Sequence, residues 1–255
     1  MKSRKGIVSF AIEQGPRPYQ EDRHVCLRIN QPNLKGWLLA VMDGHGGEFV
    51  SKLCAENIKK LFRISDASRA EESLCRLVAS LNHLTEPYSE GSTFSAALLL
   101  DNVSKISVAF LGDSPVVVVD KEGEIHVSPE HNVRSNPFER EAAQKRGGIY
   151  DGGYIWNDMG SLGKGLQMSR ALGDSYLGKI LSREPEIYTI DNPEWVLVAS
   201  DGVFDPEHHN TRQLLEEVKK YAIKRSTAKD IMKWAKDRGL KDNATALVWS
   251  LPKKR

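Results

Sequence analysis

The chain has 255 residues, 40% hydrophobic and 27% charged, which suits a globular protein with a sizeable core. Its net charge of +2, with Lys and Arg scattered among Asp and Glu, gives no electrostatic ground for a polyanionic partner such as DNA. The terminal Lys253-Lys254-Arg255 reads as a solvated tail.

No run approaches the roughly 18 apolar residues that cross a bilayer, and Met1 to Phe10 lacks a secretory signal. The expectation is a soluble, cytoplasmic monomer that binds neither nucleic acid nor membrane. Cys26, Cys54 and Cys75 are odd in number and show no zinc-site pairing, so they read as reduced thiols. The helical setting of Cys54 and Cys75 predicts core packing for both.

In chain order, residues 7–12 and 37–42 are short apolar runs closed by turn formers, the mark of buried strands. Val50, Leu53, Cys54, Ile58, Leu61 and Phe62 then share one helical face, and Leu74, Leu77, Val78, Leu81 and Leu84 another, predicting two amphipathic helices. Three strand-like stretches, 94–100, 106–111 and 115–119, read as an antiparallel meander. Asn136-Pro137 opens a helix that Gly147-Gly148 closes.

Residues 150–165 are rich in Gly and Asp and read as an irregular, mobile surface segment around a brief 154–156 strand. A buried strand over 195–199 ends at Asp201. Helices follow around 214–223 and 231–236, the second capped by Ser226 or Thr227, before a last strand at 244–251. This order lacks a strand-helix alternation, which argues against a doubly wound parallel sheet and for a sheet sandwich covered by helices. No linker or repeat interrupts it, so residues 1–255 read as one domain.

The acidic residues fall at strand ends. Glu21-Asp22 lie in a loop, Asp43, Asp113 and Asp201 each follow an apolar strand, and Asp242 precedes the last one. If those ends converge, like charges crowd together at a cost that cations relieve, and oxygen ligands suit Mg²⁺ or Mn²⁺. Asp-Gly pairs are also common turn formers, and for Asp43-Gly44 or Asp201-Gly202 taken singly that plainer reading is favoured.

The wording around them decides. Arg17-Pro-Tyr-Gln-Glu21-Asp22, Asp43-Gly44-His45-Gly46-Gly47, Gly91-Ser92-Thr93, Gly112-Asp113-Ser114, Ser169-Arg170-Ala171-Leu172-Gly173-Asp174, Ala199-Ser200-Asp201-Gly202-Val203-Phe204-Asp205 and Asp242-Asn243-Ala244-Thr245 resemble the successive motifs of the type 2C, or PPM, protein phosphatases. They occur in the family's order from about Arg17 to Thr245.

The resemblance implies a single-domain α+β fold, an α-β-β-α sandwich of two mainly antiparallel sheets flanked by helix pairs. It implies hydrolysis of phosphoserine and phosphothreonine in protein substrates by a metal-bridging hydroxide, without a phosphoenzyme. Two Mn²⁺ or Mg²⁺ ions would be held, one by Glu21, Asp43 and the Gly44 carbonyl, the other by Asp43, Asp201 and Asp242. Asp22 would support them from behind, and a weaker third ion would use Asp113, Asp201 and Asp205. Arg17 would grip the substrate phosphate, and His45 would protonate the leaving oxygen. Asp43 and Asp201 would share in catalysis through the ions.

The chain departs from the family's pattern at the flap, residues 147–169, where the usual arginine-valine-glycine step is missing. Glu130-His131 replaces an aspartate-histidine pair, and Gln20 a methionine, without loss of a metal ligand. His208-His209 reads as surface. Two rivals stand beside the phosphatase. A catalytically silent pseudophosphatase serving as a scaffold predicts missing carboxylates, and none is missing; a nuclease predicts basic or aromatic tracks, which the mixed charge does not offer.

Overall fold

The computed structural model describes residues 6–101, 103–158, 164–204 and 211–252. Two five-stranded antiparallel sheets lie face to face, and helices cover their outer faces. In chain order the elements are β1 (Ile7–Glu13), β2 (Arg23–Asn30), β3 (Lys35–Met42), β4 (Gly44–His45), α1 (Phe49–Leu61) and α2 (Ala70–Thr85). Then come β5 (Gly91–Ser92), β6 (Phe94–Leu100), β7 (Lys105–Leu111), β8 (Val116–Asp120), β9 (Ile125–Val127) and α3 (Pro137–Lys145). The rest are β10 (Ile149–Asp151), β11 (Tyr154–Trp156), β12 (Leu172–Gly173), β13 (Glu186–Asp191), β14 (Pro193–Ala199), α4 (Thr211–Ile223), α5 (Ala228–Asp237) and β15 (Ala244–Ser250).

One sheet has the order β1-β15-β14-β8-β9 and the other β13-β7-β6-β3-β2. Because successive side chains on a strand point to opposite faces, a sheet covered on both sides needs apolar residues at nearly every position. In β3, Leu39 and Val41 meet Val198, Leu247 and Trp249 of the facing sheet, while Leu38, Ala40 and Met42 meet Val50, Cys54, Ile58 and Leu77 of the first helix pair. On the far side, Leu197, Ala246 and Val248 pack against Val218, Ile231 and Met232 of the second pair.

The helix ends follow their sequence signals. Asn136 Oδ1 accepts the Phe138 and Glu139 N–H groups ahead of Pro137, and Asp230 Oδ2 accepts the Thr227 N–H at 2.7 Å.

Several expectations need correction. The three strands after α2 are not a meander: β6 pairs with β7, but β8 crosses to the other sheet and pairs with β14 and β9. Pairing is decided by which face each strand can bury, and local apolar content does not carry that information. Residues 150–158 are less irregular than expected, since β10 and β11 form a hairpin and Ile155 is fully buried, while 159–163 of the same expected segment fall outside the described residues. Cys54 lies in the core as expected, but Cys75 is exposed, because Leu74, Leu77 and Val78 take the buried side of α2. The terminal Lys253-Lys254-Arg255 and the His208-His209 pair fall outside the described residues, and among those described no helix is long and apolar enough to cross a membrane.

Candidate active site

The carboxylates meet at one end of the sandwich, where strands of both sheets terminate. Asp43 follows β3, Asp113 follows β7, Asp201 follows β14 and Asp242 precedes β15. The Asp43 N–H donates to Thr93 Oγ1 at 3.0 Å and its carbonyl accepts the Thr93 N–H at 2.9 Å. This lashes the turn after β3 to the residue between β5 and β6. Asn132 Nδ2 donates to Asp113 Oδ2 at 2.8 Å.

Asn243 ties the N-terminal loop to the other end of the chain. Its Oδ1 accepts the Glu21 N–H at 2.8 Å, and its Nδ2 donates to the carbonyls of Gln14 and Tyr19. The Ser51 hydroxyl donates to the Glu21 carbonyl at 2.5 Å from α1. Glu21 is thus placed by its backbone, and the Gly47 N–H reaches its carboxylate.

Asp43 shows how crowded this end is. Burial pushes its carboxyl well above the usual carboxylate range, and the nearby charges of Asp22, Asp201, Asp113 and Asp242 push it further. Burial also raises Asp22 to about 6, with Asp242 adding to it, against the pull of the Ser200 hydroxyl that donates to Asp22 Oδ2 at 2.7 Å. The same hydroxyl accepts the Thr245 N–H at 2.9 Å. The hydroxyl of Thr245 and the carboxyl of Asp43 also hold Asp22 down, though burial outweighs them. Glu21 and Asp242 are likewise raised, chiefly by burial.

At the rim, Arg17 Nη2 donates to Asp242 Oδ2 at 2.5 Å, and its side chain is 51% exposed. On the other side His45 Nε2 lies 2.8 Å from Asp174 Oδ2, while its buried Nδ1 has no hydrogen-bond partner among the described residues. Burial pulls this imidazole down, but the carboxylate of Asp174, with Asp113 and Glu21 beyond, outweighs it and raises its pKa. Asp174 is a non-glycine residue in the left-handed region, at φ 49°. A side chain at Gly91 would overlap both Asp174 Oδ2 and His45 Nε2, so only glycine leaves room for this pair.

The chain matches the Protein phosphatase 2C family over residues 8–244. The chain belongs to that family. It is therefore a protein serine/threonine phosphatase, a hydrolase of phosphoric monoesters in a metal-dependent class. It is 31% identical to a probable protein phosphatase 2C 59 of Oryza sativa subsp. japonica, over 96% of this chain and 75% of that one. It is 29% identical to protein phosphatase 1L of Bos taurus, over 95% and 71%. Among solved structures it resembles a C. elegans sex determining protein, with a TM-score of 0.75, 26% identity, and coverage of 97% of this chain and 65% of that one.

The donor set fits the metals of such a phosphatase. All of the candidate ligands are oxygens, most of them anionic, and the cluster around Asp43 raises carboxyl pKa values as it would if built for cations. Among the described residues no three His, Cys, Asp or Glu groups are closed into a ready metal cage. The expected Asp205 lies outside the described residues.

Of the expected site residues, Asp22, Asp113, Asp201 and Asp242 stand within electrostatic reach of Asp43, and Glu21 within reach of Asp242, Arg17 and His45. Sequence reasoning gave no role to Asp174 or Asn243. Both sit inside motifs, but their partners are 129 and up to 229 positions away, and no local spacing announces such contacts.

Proposed function

We propose that the chain is an active phosphatase that removes phosphate from phosphoserine and phosphothreonine with the help of Mn²⁺ or Mg²⁺. The reading rests on the buried Asp43 carboxyl being surrounded by the charges of Asp22, Asp201, Asp113 and Asp242, an arrangement that is costly without cations. Glu21, Asp43 and the Gly44 carbonyl would hold one ion, and Asp43, Asp201 and Asp242 a second. Asp113 and Asp201, with Asp205, would hold a weaker third. When bound, such ions neutralise phosphate charge and make water acidic enough to react at neutral pH.

The protein's own groups do the rest. Arg17 offers its planar fork to the phosphate from the rim, where it is half exposed. Asp174 holds the His45 ring through Nε2 and favours its protonated form, the form that a general acid for the departing serine or threonine oxygen requires.

Direct transfer to water, without a phosphoenzyme, is supported by the side chains beside Asp43 and Asp22, whose hydroxyls are already engaged. Burial holds the Cys26 thiol up at about 11 and the Cys54 thiol at about 12. The hydroxyls of Thr93 and Ser200 are engaged in structural hydrogen bonds.

The test is phosphate release from a phosphothreonine peptide by metal-stripped protein, with Mn²⁺, Mg²⁺ or chelator added, and Asp201→Asn beside it. Release that requires metal and vanishes in the variant upholds the reading. Metal binding by calorimetry without release under any condition would replace it with the silent scaffold.

A further inference from the structure

The small net charge conceals a steep asymmetry. Between Lys219 and Lys241 stand nine Lys and Arg against two Asp, a net charge of +7 in a chain whose total is +2. This stretch covers the end of α4, all of α5 and the approach to Asp242. The buried side of α5 is Ala228, Ile231, Met232, Trp234 and Ala235, which forces Lys229, Lys233 and Lys236 outward on one exposed face.

The direction of this ridge matters. At its start the Ala228 N–H donates to Ser9 Oγ at 2.9 Å, and at its end Lys236 Nζ reaches Glu13 Oε1 at 2.7 Å, so α5 runs alongside β1 toward the end that carries the site. The chain then continues to Lys241, whose carbonyl accepts from Arg17 Nε at 3.4 Å. Lys229 and Lys233 have no ion pair among the described residues. From Lys229 to Lys236 the helix rises about 10 Å, the length of roughly three residues of extended peptide.

We propose that the Lys229, Lys233 and Lys236 ridge docks an acidic segment of the phosphoprotein substrate while its phosphate lies at Arg17. The proposal rests on the phosphatase reading and adds a substrate class to it: phosphoproteins with Asp or Glu several positions from the phosphorylated residue. A polypeptide fits better than a nucleic acid or a lipid surface, because the cations form a single line leading to the rim, with Asp230 and Asp237 beside it. Such exposed charges act mainly on encounter and are screened by salt.

The experiment compares two phosphothreonine peptides on the full chain with Mn²⁺, one carrying a tract of Asp several residues from the phosphate and the other Ser in its place. The acidic peptide should be favoured in kcat/KM about tenfold at low ionic strength, mostly through KM. The preference should fall toward one at high salt and in the Lys229→Gln/Lys233→Gln variant. Turnover of both peptides with no preference overturns the docking and leaves the phosphatase reading standing.

Turnover of neither overturns that reading instead. Fluorescence anisotropy of the unphosphorylated acidic peptide then decides the docking alone: binding lost in the double variant upholds it, and equal binding in both proteins overturns it. Capture of phosphatidylserine vesicles or duplex DNA through these lysines, with no effect on either peptide, also overturns it in favour of that other partner.

Discussion

Arg17 Nη2 meets Asp242 Oδ2 at 2.5 Å, pairing the group proposed to bind phosphate with one proposed to bind metal, 225 positions further along the chain. The arginine's charge lowers Asp242, although burial leaves that carboxyl raised overall. Arg17→Gln should therefore raise KM for a phosphopeptide by about 10–100-fold, the worth of a charge-assisted hydrogen bond. The thermal shift produced by Mn²⁺ should be kept or enlarged, because a competing cation is gone. A variant that loses the shift together with the affinity would mean that Arg17 serves mainly to hold Asp242.

His45 depends on Asp174 in the same measurable way. A general acid must be protonated, so activity falls as pH rises through the raised pKa of His45. Asp174→Asn should move that alkaline limb to lower pH and reduce kcat about 10-fold or more. Gly91→Ala, whose added carbon would overlap both members of the pair, should resemble His45→Gln in its pH profile. An unmoved limb in Asp174→Asn would assign the titration to another group.

The raised carboxyls give stability a definite pH dependence in chelator. A folded-state pKa above the unfolded one means that the folded form binds the proton more tightly, so stability falls as pH rises through the window. For Asp22 that window runs from the model-compound 3.8 to about 6, and its ionisation costs on the order of 2–3 kcal/mol. Calorimetric midpoints between about pH 4 and 6.5 should fall less steeply in Asp22→Asn than in the parent chain. Parallel slopes would show that Asp22 is ionised throughout.

Asn243 anchors the N-terminal loop by three hydrogen bonds, to the Glu21 N–H and to the carbonyls of Gln14 and Tyr19. Asn243→Ala should lower stability by about 2–4 kcal/mol in chemical denaturation, since buried partners are left unmatched. The midpoint gain on adding Mn²⁺ should shrink as well, because Glu21 loses its support.

Much of this arrangement was legible in the residues. Both helix pairs and the largely buried strands β3, β6, β7 and β14 follow from apolar periodicity, since elements covered on both sides must be apolar almost throughout. The carboxylates at strand ends were equally plain. The edge strands β2 and β13 were missed because their half-buried residues mix Arg, His, Thr and Tyr with apolar ones. The transfer of β8 to the second sheet and the reach of Asp174 to His45 are set by distant partners, which no window of neighbouring residues contains.

The position of β15 between β1 and β14 has a consequence for synthesis. The sheet that carries Asp201 lacks the link between β1 and β14 until residues 244–250 have left the ribosome, and Asp242 and Asn243 arrive with them. The first and last strands must therefore both be made before this sheet can close, since β1 reaches β14 only through β15.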